Sequence, residues 1–243
     1  AVFLPLRPVG GAAPEVGLRI AAANVADLDD HGIRQARELA AGGYDVVVVS
    51  EMTWNLQRTL QERFPHVEIL ERTSDRAPWG ITPPSIGIFS KAPLSAVRTP
   101  QNLPGMRVRV EGPGGPFVLY GLHVPRPHPY DRDESVSPAT HRDVIDDAVK
   151  RIRAERLPVV VAGDLNATDR GGGYRAFRSV LGDAMRSDWA GGTSRADVPL
   201  WPALVLRIDH ILRPSFWCAA NPERFPIAES DHLGVAVDVG PCP

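Results

Sequence analysis

Two runs of β-branched residues constrain this chain more than any other feature. Tyr44-Asp45-Val46-Val47-Val48-Val49-Ser50-Glu51 and Pro158-Val159-Val160-Val161-Ala162-Gly163-Asp164 lack the alternation of a half-exposed strand, and both read as strands buried in a core. Each runs directly into a carboxylate, Glu51 or Asp164. A carboxylate at the end of a buried strand needs a partner, because desolvating an isolated charge is too costly.

The remaining pattern surrounds those strands with both kinds of element. Residues 18–24 read as a third buried strand, ending in Asn24. Residues 85–90, 106–111, 116–123, 207–212 and 233–238 read as further short strands, set off by Pro and Gly. Helical spacing places Ile33, Ala36, Leu39 and Ala40 on one face of residues 31–41, with Asp29 or Asp30 as the cap. Residues 54–64 read as a second helix stopped by Pro65. Ser137-Pro138 opens a third with a cap-then-proline start. Val144, Ile145, Ala148, Val149 and Ile152 give it an apolar stripe, and it runs to about residue 156. A short fourth helix covers 174–181. Strands outnumber helices, and the helices fall between groups of strands. That arrangement suits a layered α/β or α+β domain with helices packed outside sheets. Residues 5–17 are rich in Pro, Gly and Ala, so 1–17 reads as a linker and 18–243 as one domain. The chain begins at Ala1 rather than Met, which raises the expectation of a removed upstream segment, such as a signal peptide or membrane anchor.

Charge argues against some functions. The net charge is −2 and the pI about 6.4. A dedicated nucleic-acid binder carries a basic excess. The chain as a whole has none, although a local basic groove is compatible with these totals. Lys91 and Lys150 are the only lysines among 27 basic residues, so single arginines reflect a compositional bias and carry little weight. The two cysteines, Cys218 and Cys242, form no CxxC pair, which argues against structural zinc. They leave two readings open: a disulfide that staples the C-terminus in an oxidising compartment, or two free thiols in the cytosol. No stretch approaches the roughly 18–20 apolar residues that cross a bilayer.

Polar residues recur where strands end: Asn24, Glu51, His123, Asp164 with Asn166, Asp209 with His210, and Asp231 with His232. Strand ends on one side of a sheet lie together. Hard oxygen ligands gathered there suit Mg²⁺, Mn²⁺ or Ca²⁺, and histidines beside them supply proton transfer or phosphate contacts. Each residue also has a plainer reading. Asn24 and Asp164-Leu165-Asn166 suit turns, His123 suits an edge position, and Asp231-His232 suits a helix cap. Their joint occurrence at strand ends favours a site.

Asn24, Glu51, Gly121-Leu122-His123, Gly163-Asp164-Leu165-Asn166, Ile208-Asp209-His210 and Ser230-Asp231-His232 resemble the motif series of the endonuclease/exonuclease/phosphatase superfamily. That group includes pancreatic-type deoxyribonucleases, abasic-site endonucleases, neutral sphingomyelinases and inositol polyphosphate 5-phosphatases. The resemblance runs from about Arg19 to Val239. It implies a four-layer α-β-β-α sandwich of two packed mixed β-sheets flanked by helices. It also implies metal-dependent attack of water on phosphorus, with Mg²⁺ or Mn²⁺ as cofactor and Ca²⁺ as an alternative. By the same resemblance, Glu51 is the principal metal ligand with Asn24 beside it, and Asp164 positions or deprotonates the water. Asn166 contacts phosphate or a second metal. His232 is the catalytic histidine, oriented by Asp209. Asp231 is an additional metal-site aspartate. His123 contacts phosphate or assists the leaving group, and Arg142 matches a substrate-binding arginine. His232 acts either as a cation that stabilises charge or as a neutral general base.

Two departures matter. Ser50 stands where the family often has Gln. The loops are short and carry no basic insertion to grip a duplex. A lipid-linked or small phosphorylated substrate outside the cytoplasm is therefore expected, as in bacterial membrane-anchored proteins that resemble the VanJ type and act on polyprenyl pyrophosphate. A secreted or cytosolic nuclease acting on DNA or RNA is the alternative, and a non-catalytic binding module is a third. A monomer is expected. Trp54, Trp79, Tyr130 and Trp201 are candidates for a substrate rim, with loops 78–84 and 125–129 bordering the cleft and His128 beside them.

Overall fold

The computed structural model describes residues 7–26, 31–72, 75–128, 135–188, 191–195 and 205–243. In chain order its elements are β1 (Leu18–Asn24), α1 (Gly32–Ala41), β2 (Val46–Ser50), α2 (Trp54–Gln61), β3 (His66–Leu70), β4 (Ile86–Ser90), β5 (Leu94–Arg98), β6 (Gly105–Gly112), β7 (Gly115–His123), β8 (Arg126–Pro127), β9 (Ser135–Val136), α3 (Pro138–Ala154), β10 (Val159–Asp164), α4 (Gly172–Arg178), β11 (Gly182–Asp183), β12 (Ser194–Arg195), β13 (Val205–Leu206), β14 (Asp209–Arg213), β15 (Trp217–Pro226) and β16 (Leu233–Pro241).

The main strands form two six-stranded sheets, ordered β15-β16-β1-β2-β4-β3 and β11-β14-β10-β7-β6-β5. Both are mixed. β1 and β2 run parallel in the first and β7 and β10 in the second, and the other pairs within these sheets are antiparallel.

The valine runs explain the layering. Successive side chains of a strand point to opposite faces. Val46 and Val48 pack between the sheets with Met106, Val108, Leu119, Val160 and Ala162. Val47 and Val49 pack outward with Ala36 and Leu39 of α1 and Leu56 and Leu60 of α2. In the second sheet, Val159 and Val161 pack against Val144, Ile145 and Ala148 of α3 and Phe177 of α4. Both faces of both sheets are therefore covered, giving four layers from α1–α2 to α3–α4. Burying one valine fully is worth about 1.5–3 kcal/mol. A charge at Val48, 1% exposed, would sit unpaired in the layer between the sheets.

Register brings the polar strand ends to one edge. Asn24 pairs with Ser50, so Glu51 lies just beyond it. Asp164 pairs with His123 on one side and with Asp209 on the other.

Several local expectations change. Ile33, expected on the buried face of α1, is exposed, and Gln35 is buried in its place. The Gln35 amide donates to the carbonyls of Val25 at 3.0 Å and Ala228 at 2.8 Å, a tertiary bond that periodicity does not show. The proposed caps Asp29 and Asp30 lie outside the described residues. Ser137 caps α3 as expected, its Oγ accepting from the Thr140 N–H at 3.1 Å. The charged strand β15, broken by Asn221-Pro222, gave no periodic signal, yet its antiparallel pairing with β16 forms the sheet edge. Cys218 and Cys242 are joined as a disulfide rather than standing as two free thiols. Residues 9 and 15 are tethered by N–H bonds to Arg186 O and Pro241 O. Among the described residues no helix is long and apolar enough to cross a membrane.

Candidate active site

The site sits on the seam between the two sheets. Asn24 and Glu51 come from the first sheet, and His123, Asp164 and Asp209 from the second. Gly163 places Asp164. It adopts φ +135°, and a Cβ there would meet the Leu122 carbonyl oxygen at 2.0 Å. Only glycine lets β10 lie so close to β7 at this point. Glu51 and Asn166 are non-glycine residues with φ of 57° and 44°. Asn tolerates this region, whereas a Glu there stores about 1–2 kcal/mol of strain. Ser85 holds the Glu51 turn: its carbonyl accepts the Glu51 N–H at 3.0 Å and its Oγ accepts the Met52 N–H at 2.9 Å.

The side chains interlock. Asn24 Nδ2 donates to Glu51 Oε1 at 2.9 Å and to Asp164 Oδ2 at 3.2 Å. His123 Nε2 lies 3.0 Å from Glu51 Oε1 and 3.6 Å from Asp164 Oδ2. Asp164 Oδ1 accepts the Asn166 N–H at 2.8 Å, and Asn166 Nδ2 donates to Val124 O at 2.9 Å. His232 Nδ1 lies 2.8 Å from Asp209 Oδ2. An ionised carboxylate only accepts hydrogen bonds, so Nδ1 carries the proton. Asp164, Asp209 and His232 present ligand atoms within 4.8 Å of one another, and all three are buried.

Electrostatics pull these groups apart. Burial pushes Asp164 above the usual carboxylate range, and the neighbouring Asp209 adds to it. Burial works against a charged His232, but Asp209, Asp164 and Asp231 outweigh it and raise the ring to about 10. Burial likewise opposes charge on Glu51, but His123 and Asn24 hold it at about 2. His123 is raised despite its own burial, by Glu51 and Asp164. Neutral His210 differs: burial and Arg207 lower it to about 4, and its Nε2 is 2.9 Å from Ala167 O.

Comparison with known proteins adds a decisive match. The sequence profile of the Endonuclease/Exonuclease/phosphatase family matches residues 20–232. The chain belongs to that family. Members of that family generally hydrolyse phosphoester bonds and typically depend on a divalent metal. No curated protein matches in sequence. Solved structures share the fold. An endonuclease/exonuclease/phosphatase from Beutenbergia cavernae superposes with TM-score 0.68 at 19% identity, over 94% of this chain and 72% of that one. Sphingomyelinase C from Streptomyces griseocarneus gives 0.60 at 17%, over 91% and 99%. A 3′ phosphatase from Neisseria bound to product DNA hairpin gives 0.65 at 15%, over 90% and 98%.

The family's metal requirement fits this donor set. Asp209 Oδ1 is buried with no hydrogen-bond partner among the described residues, beside the buried Asp164. Glu51 is held ionised a hydrogen bond away from Asn24. Three carboxylates make a hard, oxygen-rich set that suits Mg²⁺, Mn²⁺ or Ca²⁺ rather than a thiophilic ion.

The structure gathers Asn24, Glu51, His123, Asp164, Asn166, Asp209 and His232. It does not bring in the two others. Asp231 is exposed and makes no hydrogen bond to the cluster among the described residues. Asp231 lies in a bend before the His232 bridge and faces solvent, where it acts on His232 only as a nearby charge. Arg142 points off the outer face of α3, paired with Asp146 at 3.1 Å. Its neighbour His141 is the inward residue, held against the backbone of Leu165 and Asn166. Trp54 is 64% exposed at the start of α2, three residues from Glu51, whereas Trp79 packs on the α3–α4 layer. His128 is half-buried, and its N–H bonds to Val136 O. Tyr130, Trp201 and residue 129 of the second rim loop lie outside the described residues.

Sequence reasoning missed three supports. Ser230 Oγ donates to Asn24 O at 2.8 Å and accepts the His232 N–H at 3.0 Å. It stood in the quoted motif without a role. Arg207 donates two buried hydrogen bonds to Asp183, both 2.8 Å, and the Tyr174 hydroxyl donates to the same carboxylate at 2.6 Å. Thr193 bonds to the backbone beside Asp209. The last two are long-range pairings with no local pattern.

Proposed function

We propose that the chain is a divalent-metal-dependent hydrolase of phosphomonoester, phosphodiester or pyrophosphate bonds, acting on a lipid-linked or small phosphorylated substrate outside the cytoplasm. One observation carries the chemistry: buried Asp164 and Asp209 meet His232 within 4.8 Å, beside ionised Glu51. Glu51 and Asp164 would hold the ion, with the Asn24 amide bracing both carboxylates through Nδ2. Bound there, Mg²⁺ or Mn²⁺ supplies Lewis acidity to a phosphoryl oxygen. Asp164, its carboxylate braced by the Asn166 N–H, would orient the attacking water and accept its proton. Asp209 fixes the His232 tautomer, and the cationic ring stabilises negative charge that develops on phosphorus. His123 turns its Nε2–H to Glu51 Oε1 at 3.0 Å, and would donate to a phosphate or leaving-group oxygen once an ion takes over that carboxylate.

Two features support the substrate class. The Cys218–Cys242 disulfide favours an oxidising compartment, and the near-neutral charge argues against a dedicated polyanion binder. A nuclease is the second reading, favoured by one feature. A groove of about 520 Å³ between α3 and α4 has Arg142, Lys150, Arg153 and Arg175 on its walls against one acid, Asp146.

A panel with Mg²⁺ or Mn²⁺ tests both readings: bis-p-nitrophenyl phosphate, p-nitrophenyl phosphate, polyprenyl pyrophosphate and supercoiled plasmid. Turnover of small or lipid substrates, abolished by EDTA, is expected. Plasmid nicking that weakens steeply with salt and with Arg142→Ala/Arg175→Ala would select the nuclease. Metal binding without turnover on any substrate would leave a binding module.

A further inference from the structure

Asp209 and His232 belong to different sheets. Asp209 starts β14, which pairs with β10 and β11, and His232 directly precedes β16, which pairs with β15 and β1. Neither sheet's ladder therefore sets the 2.8 Å contact between them. A short stretch at residues 193–194 links the two.

Thr193 is 1% exposed. Its Oγ1 accepts the N–H groups of Ile208 and Asp209, both at 3.1 Å, and lies 3.4 Å from Leu206 O, to which it donates. One hydrogen and two lone pairs are thus all engaged. The Thr193 N–H also bonds to Leu206 O at 2.8 Å. On the other side, Thr193 O accepts the Leu233 N–H at 2.6 Å, and Ser194 forms an isolated antiparallel bridge with His232. One residue therefore fixes the backbone from which the Asp209 carboxylate leaves and the backbone that carries the His232 ring.

We propose that Thr193 is a positioning residue for the Asp209–His232 pair. Its hydroxyl sets the carboxylate and its carbonyl sets the imidazole, so the hydrogen bond across the sheet seam forms without rearrangement. This role rests on reading Asp209–His232 as the catalytic pair. Groups that orient a catalytic ligand without touching substrate commonly change activity by about 10- to 100-fold when removed.

The test uses the full chain. Thr193→Val keeps the side-chain shape and removes the hydroxyl; Thr193→Ala removes it without crowding, should the valine variant not fold. Thr193→Ser keeps it. Three readouts are taken: the melting temperature, kcat and KM on bis-p-nitrophenyl phosphate with Mg²⁺, and the downfield proton resonance of His232 Nδ1–H, assigned by its loss in His232→Gln. In a folded Val or Ala variant kcat should fall about 10- to 100-fold, with KM within about twofold and the resonance broadened or shifted upfield. Ser should restore both. A folded hydroxyl-free variant with wild-type kcat and an unmoved resonance would overturn the proposal, as would Ser variants as impaired as Val. If the wild-type chain hydrolyses no phosphoester, the resonance still decides the positioning role, so the two failures are told apart.

Discussion

His232 and Asp209 meet at 2.8 Å across the seam of two sheets that share no hydrogen-bonded ladder. The candidate site is built on that seam, and its properties follow from groups that neither sheet positions alone.

Catalytic dependence comes first. Asp209→Asn leaves the shape but allows the amide to donate, which disfavours the Nδ1–H tautomer of His232. Turnover of bis-p-nitrophenyl phosphate should fall at least about 100-fold, with Asp164→Ala and His232→Ala at least as severe. Near wild-type rates in either alanine variant would remove these residues from the mechanism.

The same pair predicts a pH dependence of stability in the metal-free chain. Burial opposes the charged ring, but Asp209, with Asp164 and Asp231, outweighs it, and the folded pKa of His232 rises from 6.5 to about 10. A raised pKa means stabilisation that is fully present below pH 6.5 and lost as pH rises through about 10. The shift sets an upper limit of roughly 5 kcal/mol. Denaturant unfolding in EDTA should show this decline between those pH values, and Asp209→Asn should flatten it. Equal slopes in both proteins would contradict the pairing.

Metal binding should stabilise the fold and release protons. Asp164 is held partly toward its protonated form by burial and by Asp209, so a bound cation displaces that proton and binding strengthens as pH rises. At a Mn²⁺ concentration a hundred times Kd, the gain is about 2.7 kcal/mol. Glu51→Gln should remove most of it in calorimetry and thermal melts. Asp231→Asn, at an exposed position outside the cluster, should keep it.

Ser230 should matter more than its size suggests. Its hydroxyl bridges Asn24 O and the His232 N–H, so Ser230→Ala leaves two buried groups unpaired. A loss of about 1–3 kcal/mol is expected, together with lowered activity, read by denaturant midpoint and kcat on the same preparation.

The Cys218–Cys242 bond closes a loop with a sequence separation of 24. Closing a loop of that length contributes about 3 kcal/mol through the unfolded chain. Paired Cys218→Ala/Cys242→Ala substitution should lower the melting temperature while leaving kcat unchanged, because the bond ties the edge strand β15 to the chain just past β16.

Much of this protein was legible in one dimension. The unbroken valines at 46–49 and 159–161 required strands covered on both faces, and the register of those strands carried Glu51 and Asp164 to one edge. Periodicity found α3 and its Ser137 cap. The polar strand ends, taken in order, named seven residues that the fold brings together. All of these depend on neighbours a few residues apart or on a motif order along the chain.

What the tertiary structure decided involves partners far apart in sequence. Ile33 faces out because Gln35 finds carbonyls at Val25 and Ala228. Asp231 faces out while its neighbour His232 turns in to Asp209, and Arg142 faces out while His141 turns in. Thr193 and Ser230 gain roles only where the two sheets meet. Local propensity sets which residues lie at a strand's end. Which way each side chain turns there is set by hydrogen bonds between segments that only packing brings into contact.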